Sequence, residues 1–212
     1  MQQDLFRPIT STPDAPKRLK PARMKLDRTE PIETLFLALC PEVLLARHIE
    51  GYGRSFLRTY GLKYNPVARA WRPPEWDRLH ISLLGLGSCR VVPEDRVSEL
   101  DLILRSLALP PVMMTLNRLL SFGRGTGNHP LVLTGDEVGM RDLRRRLLDA
   151  LQPLGLGADN AFNPHLTLSW GPELIPEQEV KPIELTFSEF VLIQSTYNRH
   201  RHRILRRWRL RG

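Results

Sequence analysis

The chain has 212 residues, 42% of them apolar, which suffices for one sizeable core or two small lobes sharing one and falls short of two ordinary independent domains. Its formal net charge of +8 is uneven: residues 1–30 carry +3, residues 199–211 carry +7 and the stretch between them −2, so the basicity lies at the two ends. No stretch is apolar for the length of a membrane span and no apolar signal region follows the basic N-terminus, so a cytoplasmic chain with no membrane partner is expected.

Residues 1–31, with Pro8, Pro13, Pro16 and Pro21 among Ser, Thr, Lys and Arg, lack apolar periodicity and are expected to form a flexible basic tail ahead of one domain over 32–212. The apolar run 34–39, closed by Pro41, predicts a buried strand. A helix over 42–60 follows from Val43, Leu44, Ala46, Ile49, Phe56 and Leu57 near helical spacing, with Gly51 and Gly53 weakening its middle. Residues 67–71 predict a strand, Arg72-Pro73-Pro74-Glu75 a turn, and 79–86 another strand. Helical spacing returns over 93–107 through Val97, Leu100, Ile103, Leu104 and Leu107. Strands are expected over 112–122 and 130–133, either side of a link containing Gly123, Gly125 and Gly127. A helix over 137–151 interleaves Arg144-Arg145-Arg146 with Met140, Leu143, Leu147 and Leu148, which assigns the three arginines to a mostly solvated face. Strands over 165–170, 183–195 and 203–210 complete the chain. Strands outnumber helices and short connections dominate, so the expected class is α+β with largely antiparallel sheets. A strand followed by a helix and then by a strand opening on histidine occurs loosely in each half.

Those two histidine strands carry the chemistry. One reads His80-Ile81-Ser82-Leu83 and the other His165-Leu166-Thr167-Leu168: histidine, apolar, hydroxyl, apolar. Side chains two apart on a strand share a face, about 6.5–7 Å apart, so each histidine and its hydroxyl point the same way while the aliphatic residues pack behind. A single His-x-Ser/Thr of this kind is ordinarily a core histidine with its hydrogen bonds satisfied; two in one chain point to a shared pocket. Imidazole titrates near pH 6.5, so one ring can accept a proton while the other donates one. The hydroxyls of Ser82 and Thr167 can donate to non-bridging phosphate oxygens. Neither motif has Cys, Asp or Glu at ligand spacing, and Cys40 and Cys89 lack a CxxC arrangement, so no metal or other cofactor is expected and both thiols are assigned to structure.

With these paired HxTx-type motifs in this order, the sequence resembles the 2H phosphoesterases, and within them the bacterial RNA 2′,3′-cyclic phosphodiesterases once called 2′-5′ RNA ligases. The resemblance covers about residues 33–210. It includes the opening strand Leu35-Phe36-Leu37-Ala38-Leu39 with Pro41, the segment from Pro73-Pro74-Glu75 to Leu83, Phe162-Asn163-Pro164 before the second motif, and Phe190-Val191-Leu192-Ile193-Gln194-Ser195 with Tyr197 before the last strand.

It implies a bilobal fold of two pseudo-symmetric, largely antiparallel lobes with outer helices and a central cleft. It implies His80 as general acid, His165 as general base, Ser82 and Thr167 on the phosphate oxygens, and Tyr197 near the cleft. The implied reaction is opening of an RNA-terminal 2′,3′-cyclic phosphate to a 2′-phosphate, with 2′-5′ ligation as its reverse. The expected partner of a monomeric chain is an RNA 3′ end or a small cyclic nucleotide, and two other readings stay open: a phosphodiesterase for such a nucleotide, and a non-catalytic RNA-end-binding module whose basic ends supply affinity. The sequence departs from the family pattern at Ser82, where threonine is usual, and at Ser169-Trp170, where an arginine is usual. Arg203, Arg207, Arg209 and Arg211 either replace that arginine or protect a strand edge. His48, His129, His200 and His202 have no hydroxyl partner and receive no catalytic role. Trp71, Trp76, Phe162 and Tyr197 are core residues or base-stacking candidates.

Overall fold

Leu35, Leu37 and Leu39 alternate with less apolar neighbours, and in the computed structural model they form one buried face of the strand β1, Glu33–Leu39. The structure describes residues 32–68, 70–123, 127–155, 162–196 and 201–212, with the backbone alone at 201. The N-terminal segment 1–31 therefore lies outside the described residues, as do Tyr197 and His200.

After β1 come α1 (Val43–Thr59), β2 (Ile81–Cys89), α2 (Glu94–Arg105), β3 (Val112–Ser121), β4 (His129–Val138), α3 (Met140–Leu151), β5 (Leu166–Gly171), β6 (Gln178–Phe187), β7 (Glu189–Thr196) and β8 (Arg201–Arg209). The eight strands make one sheet in the order β6-β3-β4-β5-β2-β1-β7-β8, and every registered pair is antiparallel. The expected α+β class and pseudo-symmetry both hold. One half is β5-β4-β3-β6 and the other β2-β1-β7-β8; α3 links β4 to β5 as α1 links β1 to β2. The halves meet at the register pair Ile81–Leu166, each residue directly following a motif histidine.

The helices bury their apolar stripes on one face of the sheet, through Ala46, Ile49, Phe56 and Leu57 of α1, Val97, Leu100 and Leu104 of α2, and Met140, Leu143, Leu147 and Leu151 of α3. One apolar cluster runs through both halves, whereas Ala38, Val191 and Ile193, with Phe36 and Cys40 against them, form a small second cluster. Phe36, Ala38 and Cys40 alternate with Leu35, Leu37 and Leu39, so this second cluster lies on the opposite face, which the cleft uses. Burial pushes the Cys40 thiol up to about 11, in keeping with a structural role.

The two halves are tied by helices as well as by the shared pair. The Arg144 guanidinium of α3 is buried, lies 5.1 Å from the Phe162 ring, and donates through Nε to the Leu83 carbonyl of β2 at 3.0 Å. This corrects its expected place on a solvated face: only Arg145 of the triplet behaves so fully, pairing with Asp142 and Asp149 in the open, while the half-buried Arg146 donates to the Ala108 carbonyl at 2.8 Å. In α1, a Cβ on Gly53 would stand 2.8 Å from Pro74 Cγ and 3.4 Å from Leu168 Cδ2, so glycine there permits close packing on β5 and on the turn before the first motif.

Three element boundaries differ from expectation. The described residues of 67–71, a stretch in which 69 lies outside the described residues, hold no strand: Asn65 and Ala70 form a lone bridge, and Asn65 Oδ1 accepts from the backbone N–H of Val67 and Ala68, each at 3.0 Å, closing a turn. The stretch 183–195 is divided between β6 and β7, which turn at Ser188. Strand β4 runs on through polar residues to Val138, because β3 pairs with it as far as Met113, and the Glu137 carboxylate caps α3 by accepting from Met140 N–H at 2.9 Å.

Candidate active site

The histidine motifs have the same local build. His80 and His165 each sit one residue ahead of their strand. His80 Nδ1 lies 2.8 Å from the Arg78 carbonyl and His165 Nδ1 lies 2.7 Å from the Asn163 carbonyl, in each case the residue two positions earlier. A carbonyl can only accept, so Nδ1 carries the hydrogen in both rings, and in a neutral imidazole Nε2 is left with the lone pair.

Past the hydroxyl residue, each strand carries one extra residue. Ala38 pairs with Ser82 and Leu37 with Leu84, leaving Leu83 over; Val132 pairs with Thr167 and Leu131 with Ser169, leaving Leu168 over. Such a bulge interrupts alternation, and both strands are buried at two successive residues there. It returns Trp170 to the face of Thr167 and His165, and Gly85 stands at the corresponding place on β2. The Arg144 hydrogen bond to the Leu83 carbonyl secures the first of these bulges from behind.

His80, Ser82, His165 and Thr167 therefore line one cleft of about 420 Å³, together with Arg72, Arg78, Trp170 and His202. All four residues expected to form the phosphate clamp are brought together. Each histidine also rests on a phenylalanine: the ring centroids of Phe36 and His80 are 5.0 Å apart, and those of Phe122 and His165 are 5.0 Å apart in a T-shaped contact. Ring packing and the Nδ1 hydrogen bond together fix each imidazole plane.

Charge in the cleft is set by burial and by mutual repulsion. Burial holds His80 below its ordinary value, Arg78 and His165 push the same way, and the Arg78 carbonyl opposes them. His202 lies in a T-shaped contact with His80, 5.1 Å between centroids, and is lowered to about 4 by burial, by His80 and by Arg78. At neutral pH the cleft thus holds His80 and His202 uncharged. The positive charge comes from guanidinium groups. Arg72 bonds to Glu75. Arg78 stands 3.7 Å from the same carboxylate, and its buried Nε has no hydrogen-bond partner among the described residues.

His202, which was given no catalytic role for want of a hydroxyl partner, still reaches the cleft because β8 pairs with β7, Ser195 opposite His202, and its neighbours there are the rings of Phe36 and His80. His48 is exposed and His129 is buried away from the cleft lining. Where the sequence shows no arginine after the second motif, Trp170 stands in the cleft, 48% exposed, and arginines enter from before the first motif instead. Arg78 lies two residues ahead of His80, and that adjacency was the available signal. The arginines at 203, 207 and 209 are exposed along the edge strand β8, with Arg207 paired to Glu189. Among the other aromatics, Trp71 is buried, Trp76 lies under Arg47 at 4.8 Å, and Phe162 under Arg141 and Arg144, so all three serve packing. Among the described residues, no three His, Cys, Asp or Glu side chains converge as a metal site, and no helix is long and apolar enough to cross a membrane.

No protein-family model matches the sequence, and no curated protein matches it significantly. Solved structures do match in fold. Escherichia coli LigT complexed with NADP+ aligns over 86% of this chain and 100% of its own, with 24% identity and a TM-score of 0.63. The Thermus thermophilus protein TT0787 aligns over 84% and 98%, with 21% identity and a TM-score of 0.64. A structure described as a phosphoesterase aligns over 85% and 99%, with 23% identity and a TM-score of 0.60. With its eight-stranded antiparallel sheet and, among the described residues, three α-helices, the chain shares the fold of LigT and of the structure described as a phosphoesterase.

Proposed function

We propose that this protein opens an RNA-terminal 2′,3′-cyclic phosphate to a 2′-phosphate by two-histidine acid–base catalysis that needs no metal. The observation that carries the reading is the matched pair, His80 and His165, each held through Nδ1 by the carbonyl two residues earlier and each with a hydroxyl two residues on. His165 Nε2 takes a proton from water as its oxygen attacks phosphorus. The bond from phosphorus to the ribose 3′ oxygen breaks, and His80 Nε2 protonates that oxygen as it leaves. Ser82 and Thr167 donate to the non-bridging oxygens, and the Arg78 and Arg72 guanidinium groups offset the developing charge. An anionic phosphodiester beside His80 favours its imidazolium and so supplies the acid that burial alone suppresses. The neutral His202 adds no competing positive charge there. With a 5′ hydroxyl in place of water, the same steps join two RNA ends through a 2′-5′ linkage.

Escherichia coli LigT has been crystallised with 3′-AMP, ATP and phosphate, which fits a phosphate-binding cleft on this fold. A cleft of about 420 Å³ is the size of one nucleotide, so a small cyclic nucleotide is the second reading. The test is turnover, in EDTA, of an oligoribonucleotide ending in a 2′,3′-cyclic phosphate by wild type, His80→Ala and His165→Ala. Each proton transfer contributes about 10²- to 10⁴-fold, so either variant should lose at least that much of kcat. A wild type that turns over small cyclic nucleotides alone favours the second reading, and one that binds the oligonucleotide without turnover makes the cleft a recognition module.

A further inference from the structure

Beside the cleft lies a second cavity of about 530 Å³, walled by the end of α1 and the chain that leaves it. Its lining carries three cations, Arg54, Arg58 and Lys63, and the half-exposed ring of Tyr64. Arg54 is held by Glu50 at 2.9 Å, whereas among the described residues no carboxylate pairs with Arg58 or Lys63. A concave surface with cations and an exposed aromatic ring has the chemistry that single-stranded nucleic acid uses, phosphates on the cations and a base on the ring.

The wall between cavity and cleft is one short segment. Trp71 and Pro73 line the cavity, and Arg72, Pro73, Pro74 and Glu75 line the cleft, so Pro73 borders both. Trp71 takes a left-handed backbone, φ 54, which is costly for a bulky residue and persists only where its surroundings impose it. Those surroundings are β5. Trp71 N–H donates to the Trp170 carbonyl at 2.6 Å, the indole Nε1–H donates to Glu173 at 2.7 Å, and the ring packs on Gly171 so closely that a Cβ there would stand 2.1 Å from it. The kink at Trp71 is thus fixed to the motif strand, and it holds the two depressions side by side.

We infer that this cavity is the subsite for the penultimate nucleotide of an RNA strand whose 3′-terminal cyclic phosphate occupies the cleft; the inference rests on the reaction proposed above. Only the 5′ direction of such a strand continues past the terminal nucleotide, and the cavity that shares Pro73 with the cleft is where it meets positive charge. The subsite makes the protein prefer an oligonucleotide over a mononucleotide. It acts on binding and leaves the chemistry at the histidines untouched.

The experiment compares a mononucleoside 2′,3′-cyclic phosphate with a tetraribonucleotide ending in the same group, using wild type, the Arg58→Ala/Lys63→Ala double variant and Tyr64→Ala. The wild type should show a KM for the tetranucleotide about tenfold or more below that for the mononucleotide. The double variant should close most of that gap and keep kcat/KM for the mononucleotide, and its log KM should depend less steeply on log salt, by about 0.7 for each phosphate no longer neutralised. Tyr64→Ala should raise the tetranucleotide KM with little change in salt slope. Equal KM values in the wild type, or a gap that survives the double substitution, overturn the inference. If neither substrate turns over, the proposed reaction fails on its own. The subsite is then decided by fluorescence anisotropy of a 3′-phosphorylated tetraribonucleotide: weaker binding by the double variant supports it, and unchanged affinity overturns it.

Discussion

Replacing Arg144 with leucine separates the fold's internal wiring from its surface charge. The guanidinium is buried, its Nε donates to the Leu83 carbonyl at 3.0 Å, and its plane lies over Phe162. A hydrogen bond from an ionised donor contributes about 1.5–3 kcal/mol and a ring contact of this kind about 0.5–2 kcal/mol. Removing a buried charge returns part of that sum, so the expected net loss is about 2–3 kcal/mol. For a domain of this size that lowers the thermal midpoint by about 4–12 °C. The carbonyl left without its donor belongs to the bulge that aims Ser82, so kcat/KM should fall about tenfold at temperatures where the variant is still folded. Thermal melts followed by circular dichroism, with activity at 25 °C, check both effects. Arg145→Leu, on the same helix and in the open, serves as comparison and should leave midpoint and activity unchanged. Equal effects of the two substitutions, or an Arg144→Leu protein as stable and active as wild type, would refute the role given to this contact.

Two further outcomes follow from the cleft. Trp170→Ala removes an exposed indole that lines the cleft with the four motif side chains; base stacking on such a ring contributes about 1–3 kcal/mol, so under the proposed reaction KM for a purine-ended substrate should rise at least fivefold with kcat nearly constant, as steady-state kinetics will show. His202 resists protonation until about pH 4, while in the unfolded chain it takes up a proton near pH 6.5. Stability linked to this group is therefore complete above about pH 6.5, falls as pH drops through the window to about 4, and levels off below it. The full shift corresponds to about 3 kcal/mol, which partial solvent access reduces to about 1–2 kcal/mol. Urea melts at pH 7 and pH 5 should show His202→Phe losing less stability than wild type across that interval.

The convergence of the two histidines and two hydroxyls on one cleft was legible in the sequence because a two-residue repeat of histidine and hydroxyl survives whatever the rest of the fold does. Strands β1, β2 and β5 and all three helices were likewise readable from apolar spacing. Other features depended on partners distant in the chain. His202 enters the cleft through the register of β8 on β7, and Arg144 is buried because the carbonyl it satisfies belongs to a bulge 61 residues earlier. Neither fact leaves a local pattern. The bulge of β2 shows in the sequence as two adjacent apolar residues, Leu83-Leu84, where strict alternation would place a polar one, whereas in β5 the polar Ser169 follows Leu168 and alternation hides the bulge. Val67 and Ala68, expected in a strand, form a turn because the Asn65 side chain offered their backbone hydrogen bonds instead.

The strand order also has a consequence in time. A chain made from its N-terminus can complete the half β5-β4-β3-β6 once residue 187 has emerged. The other half cannot close then: β1, at residues 33–39, lies between β2 and β7, and β7 spans 189–196. The Thr196 hydroxyl bonds the Glu33 carboxylate across 163 positions of sequence. Until β7 and β8 arrive, β1 keeps one edge open beside an apolar face, the arrangement most prone to pairing with another chain. Of the two halves, the one that carries His80 is thus completed second, and until β7 and β8 arrive the nascent chain depends on protection of that edge.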